Sequence, residues 1–186
     1  MTSGLASADK QTVFTEHFML TEQLTSDLPH LGFRRYLPHP SLQLWVQNYW
    51  IAQQDSIPNA GFTETLYADG GISLTFSFTQ SLPSVELKTK QTTSKIIIKK
   101  SIDAIGVRFH PGGIFKLFAI DMIELSAIDN GAEILGDELN TIQEKLAEVK
   151  GHNARLLIIE NWLLEKTFQR SPNPSLLQHL VPQLLS

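Results

Sequence analysis

Between Ile72 and Phe78 the chain alternates without a break: Ile72, Leu74, Phe76 and Phe78 are apolar, and Ser73, Thr75 and Ser77 are polar. A period of two predicts a strand with one buried and one wet face. Apolar and alternating runs predict further strands over 47–52, 62–67, 86–90, 96–98 and 104–110. Asp69-Gly70-Gly71 reads as a tight turn between two of these strands. Several short strands separated by turn signals predict a small antiparallel β-barrel or cupin-like sandwich.

After Pro111 the period lengthens. Ile114, Phe115, Leu117 and Phe118 predict a short helix over 113–119, and 121–129 reads as a connection with a turn or two of its own. Leu139, Ile142, Leu146 and Val149, three and four residues apart, predict an amphipathic helix over 137–149 that Gly151 ends. The strongest helix opens at His152 or Asn153 and runs to Gln169. Its apolar residues wrap more than half its circumference, which calls for two partners: its own domain, and a second subunit met through Leu156, Ile159, Trp162 and Leu163. The whole is an α+β chain whose strands precede a carboxy-terminal helical layer.

The ends are less regular. Residues 1–32, rich in Ser and Thr, read as a loosely ordered arm in which Phe14, Phe18 and Leu20 mark a short strand. The prolines of Tyr36-Leu37-Pro38-His39-Pro40 favour extended backbone, and Ser41 caps a short helix carrying Leu42, Leu44, Trp45 and Val46. Residues 33–170 form the main domain. Ser171-Pro172-Asn173-Pro174 reads as a linker, with the start of one more helix at 175–185.

Charge and chemistry narrow the function. Fifteen basic residues against nineteen acidic ones leave a net charge of -4, unlike a free-standing DNA binder. Lys88, Lys90, Lys95, Lys99 and Lys100 form a basic cluster without interleaved aromatics, which fits exposed strands protected from edge-to-edge association better than a nucleic-acid ribbon. There is no cysteine, and neither a signal peptide nor a membrane-length apolar run, so the expected setting is cytoplasmic. None of the six histidines is spaced from another like a pair of metal ligands, and no nucleophile elbow, P-loop or dinucleotide fingerprint occurs. The chain is expected to be no enzyme and to hold neither metal nor cofactor.

Arg108 lies between Val107 and Phe109, so in a strand it faces away from both, with His110 beside it. If that face is interior, Arg108 needs a carboxylate, and Asp69 is the candidate. The arginine either binds an acidic effector or staples the Asp69 turn to the Pro111 corner. Tyr49, Trp50, Tyr67, Phe76, Phe78, Arg108 and His110 are the candidate lining of a small-molecule pocket, although aromatics at strand spacing also serve as plain core.

Several segments together resemble the amino-terminal domain of one branch of AraC-type transcription regulators. They are Tyr36-Leu37-Pro38-His39-Pro40 followed by Tyr49-Trp50, the strand–turn–strand around Asp69-Gly70, and the octet Gly106-Val107-Arg108-Phe109-His110-Pro111-Gly112-Gly113. Ala68 stands where that branch has proline, which leaves the turn less rigid. The resemblance covers roughly residues 33 to 169. It implies an effector-sensing and dimerising domain that binds an unknown small molecule, forms a homodimer, and reaches DNA only through helix-turn-helix units absent from this chain. Asp69, Gly70, Arg108, Pro111, Gly112 and Gly113 would be the structural residues of its two glycine-rich corners. A stand-alone protein-interaction module, or less readily a small barrel enzyme, is the alternative.

Overall fold

The alternating run that begins at Ile72 becomes a central strand of a six-stranded antiparallel sheet in the computed structural model, which describes residues 20–23, 28–66, 71–89, 91–128 and 130–169. The strands are β1 (Glu22–Gln23), β2 (Arg34–Tyr36), β3 (Val46–Gln54), β4 (Phe62–Leu66), β5 (Ile72–Ser77), β6 (Ser84–Thr89), β7 (Ser94–Ile98) and β8 (Ile102–Phe109). The large sheet has the order β1-β2-β3-β8-β5-β6, while β4 and β7 pair only with each other. The helices α1 (Gly113–Phe118), α2 (Met122–Ser126), α3 (Gly136–Glu148) and α4 (His152–Gln169) follow in sequence. The fold is therefore α+β, two antiparallel sheets with a carboxy-terminal helical layer, as expected. Its large sheet runs from β1 to β6, which do not pair with each other, so the barrel alternative is not realised among the described residues.

Register explains the layering. Tyr36, Tyr49, Val107, Leu74 and Leu87 stand in one cross-strand row, and Ile51, Ile105, Phe76 and Val85 in the next. All nine are buried, and they form one cluster with Ile114 and Leu117 of α1, Leu139, Ile142 and Leu146 of α3, and Leu156, Ile159, Trp162 and Leu163 of α4. Each such aliphatic or aromatic side chain contributes about 1.5–3 kcal/mol when fully removed from water. The intervening residues form the opposite face: the row Asn48, Arg108, Ser73, Lys88 and the row Arg35, Trp50, Gly106, Thr75, Glu86. The alternation seen in the sequence thus divides an apolar, helix-covered face from a polar one.

Several local expectations change. The four α4 residues expected at a subunit interface are all spent inside the domain, where α4 packs against α1 and α3 and joins the core cluster. Ser41 caps no helix. A single 3-10 turn, Pro40–Leu42, forms there, with the His39 Nδ1 accepting from the Ser41 N–H at 3.1 Å, and Leu44 is left 75% exposed. β4 and β5, the strands on either side of the expected Asp69-Gly70-Gly71 turn, pair in different sheets and not with each other. The supposed arm contributes β1 and the 3-10 turn Pro29–Leu31, whereas Phe14, Phe18 and residues 171–186 lie outside the described residues. A further 3-10 turn, Gly131–Leu135, precedes α3 without any periodic signal in the sequence.

The edge of β6 is closed by one side chain. Asn130 Oδ1 accepts from the Leu87 N–H at 2.9 Å, and Asn130 Nδ2 donates to the Val85 carbonyl at 3.0 Å. This amide takes the place of a neighbouring strand and satisfies two edge groups. The same Oδ1 accepts from the Ala132 N–H at 3.1 Å, capping the turn that follows. Asn130→Ala should therefore lower stability by about 1–3 kcal/mol, the penalty of unsatisfied buried polar groups. Urea unfolding checks this, and an unchanged midpoint would show that the edge does not depend on Asn130.

Candidate functional site

The strand-to-helix octet is formed as its pattern suggests. Gly106 to Phe109 lie in β8, and the chain turns through His110, Pro111 and Gly112 before α1 begins at Gly113. The corner is stapled through backbone: the Trp45 carbonyl accepts from the His110 N–H, and the His110 carbonyl accepts from the Gly113 N–H, both at 2.9 Å. Gly112 has φ 79°, which favours glycine, and a Cβ on Gly113 would lie 2.2 Å from the Trp45 oxygen. Pro111 is exposed and His110 half-buried.

On the polar face, Arg108 reaches across to β5. Its Nη1 donates to Ser73 Oγ at 2.9 Å, and its guanidinium lies over Gly71, where a Cβ would come within 2.4 Å of Nη2. The arginine therefore does reach the glycine-rich corner expected of it. Tyr67, Asp69 and Gly70 are outside the described residues, and so is the proposed Arg108–Asp69 pair. Beside Arg108, the Trp50 indole lies against Gly106, with no room for a Cβ between them. Phe33 stacks on Trp50 at 5.9 Å between centroids, and the Arg35 guanidinium lies 5.5 Å from the Phe33 ring. Trp50 is thus layered between a glycine backbone and another aromatic ring.

The other candidates separate. Tyr49 and Phe76 are fully buried on the helix side and belong to the core, because their register parity is opposite to that of Trp50 and Arg108. Phe78 packs under Arg155, whose guanidinium lies 3.8 Å from the ring centroid. Two clefts of about 270 Å³ occur among the described residues, one beside Lys88 and Leu125, the other between Phe118 and Lys166. Neither is lined by Trp50, Phe76, Arg108 or His110.

Sequence reasoning passed over a set of charged residues at the helix–sheet seam. His152 Nε2 and Asp103 Oδ1 are 2.7 Å apart, joining the start of α4 to β8. Arg155 Nε donates to the Val149 carbonyl at 3.0 Å and to the Leu146 carbonyl at 3.3 Å, closing the end of α3. Lys166 is buried and pairs with Glu138 of α3. Glu160 is only 2% exposed; its Oε1 accepts from the His39 N–H at 2.7 Å. The Tyr49 hydroxyl is close enough to feel the Glu160 charge but has no partner at hydrogen-bond geometry. Burial holds the Glu160 carboxyl above its ordinary range, although the His39 N–H and imidazole and the phenol oppose this. Burial first, then the Glu160 charge, push the Tyr49 phenol well above its usual value. The sequence signal for Glu160 and Lys166 is their place on the buried stripe of α4, at helical spacing from Leu156 and Leu163.

Fold and site together define a two-sheet domain with helices on one face and a polar, arginine-bearing surface on the other. The chain belongs to the family described as a domain of unknown function (DUF6597), which matches residues 34–128, from β2 to just beyond α2. No curated protein and no solved structure matches it. No helix among the described residues is long and apolar enough to cross a membrane.

The Trp50–Gly106 layering is open to test. Gly106→Ala should force the indole off the sheet, cost about 1–3 kcal/mol as overpacking does, and change the tryptophan emission. Unaltered emission and stability would show that the contact is loose.

Proposed function

We propose that this chain is the effector-sensing and dimerisation domain of an AraC-type transcription regulator, with DNA contacted by separate helix-turn-helix units. One observation carries the reading: β8 is shared by both faces. Gly106 and Arg108 point to the polar face, whereas Ile105, Val107 and Phe109 pack beneath the helices. An effector held against Trp50, Ser73 and Arg108 would bias the position of β8. Through the close-packed row behind it, the position of α4 would follow. Effector binding then selects between two placements of that helix.

Dimerisation needs a surface other than the buried quartet. The outer side of α4 carries Ala154, Leu157, Asn161, Leu164 and Phe168 at alternating spacings of three and four; Leu157 is 37% and Phe168 58% exposed, and Leu164 is half-buried. This is the spacing of a two-helix seam with one polar residue at its centre. The partner proposed is a second copy. In an antiparallel pair about Asn161, the large Phe168 meets the small Ala154 and the helix dipoles oppose, as an isologous contact allows.

The test fuses the chain to a DNA-binding domain that represses a reporter only as a dimer. Repression is expected, and Phe168→Glu, at an exposed site that spares the core, should weaken pairing about tenfold or more. Absence of repression would count against the regulator reading. Repression unaffected by Phe168→Glu would move the interface elsewhere, and repression indifferent to every effector screened would favour a plain interaction module. Because the chain has no cysteine, Asn161→Cys offers a second check: oxidation should give a covalent dimer, whereas Ser126→Cys on exposed α2 should not.

A further inference from the structure

Glu160 has no counterpart in the reading above, and its surroundings are unusual for a carboxyl. It sits where three elements meet: α4, the Pro38-His39-Pro40 segment and β3. The residues one turn away on α4, namely Leu156, Leu157, Leu163 and Leu164, are all apolar. From the neighbouring segment, His39 faces it with its backbone N–H and imidazole; from β3, Tyr49 faces it with its hydroxyl. The cations of α1 and α4 are engaged elsewhere: Lys116 over Trp45 at 5.7 Å, Arg155 with Asp103, Lys166 with Glu138. A carboxylate sealed among apolar side chains, with the His39 N–H donating to it at 2.7 Å, is poorly compensated.

We infer that Glu160 is a proton-dependent latch: it holds its proton more tightly while α4 is docked than when α4 lifts. The direction follows from its environment. Burial raises its pKa above 4.5 in the docked state, so the docked form binds more protons than the released form. The contribution of Glu160 to docking is complete below that ordinary value. It is lost as pH rises towards the raised one, and no further loss follows above it. Alkaline conditions therefore loosen α4, and acid conditions seat it. His39 opposes the effect first with its backbone N–H and then with its imidazole, both of which favour the carboxylate. The inference rests on the packing of α4 alone and stands whether or not the helix pairs with a second copy.

The test is amide hydrogen exchange on the full chain at about pH 5 and about pH 8, corrected for intrinsic rates, comparing peptides of α4 with peptides of β5 and β8. On going to the higher pH, α4 should lose protection relative to the sheet several-fold, the direction that a raised carboxyl pKa in the docked state sets. Glu160→Gln keeps the acceptor for the His39 N–H and removes the titration, so it should abolish that difference and retain the protection seen in acid. Tyr49→Phe separates the phenol from the carboxyl and should leave a pH response of the same sign. Equal behaviour of α4 and sheet in the unaltered chain would overturn the latch. So would a Glu160→Gln chain that still responds to pH, and so would one that fails to fold, because the fold would then require the anion.

Discussion

The seam between α4 and the β3–β8–β5 portion of the sheet is the contact on which the rest of this structure depends. Leu156, Ile159, Trp162 and Leu163 are buried in one cluster with Tyr49, Val107 and Leu74, and α1 and α3 both pack on α4. α3 is tied to it by Arg155 and by the Lys166–Glu138 pair, and α1 by Phe118, whose ring lies 5.1 Å from that of Trp162. Because interiors pack as densely as organic crystals, a helix seated this closely cannot shift by small degrees. It rests in one placement or moves to another.

That constraint explains why the polar residues of the seam are buried at all. A helix used only as a cover would be apolar along its whole inner stripe. Here Glu160 and Lys166 interrupt it, one facing a backbone amide and the other a carboxylate on α3. Buried polar contacts of this kind add little stability compared with well-packed hydrocarbon, but they fix one alignment of the helix against alternatives one turn away. The sheet side shows the same economy, with Asp103 meeting both His152 and Arg155 at the start of the helix.

Local pattern and long-range pairing were legible to different degrees. The run Ile72 to Ser77 and the helix Gly136–Glu148 repeat with their own periods, so their existence and buried faces could be read from neighbours in sequence. What β4 pairs with could not, since its partner β7 lies almost thirty residues on and the intervening Asp69-Gly70-Gly71 looks the same in a hairpin or a crossover. The wide apolar face of α4 was likewise visible, but periodicity does not tell which part meets the sheet and which part meets solvent. Trp50 and Phe76 looked equivalent as aromatics, and only the register placed them on opposite faces. Arg108 reached the glycine corner because β5 and β8 pair with Ser73 opposite it, a correspondence fixed by the sheet rather than by spacing.

The Asn130 amide has a consequence for the order in which the chain assembles. The β5–β6 hairpin is local and can close early, but the side chain that shields its outer edge arrives some forty residues later, on a turn that itself needs Asn130 as its cap. Until that turn forms, β6 presents an open row of amides and carbonyls to any strand it meets. The interval between synthesis of the hairpin and arrival of the plug is therefore the period in which this chain is most prone to pair with the wrong neighbour.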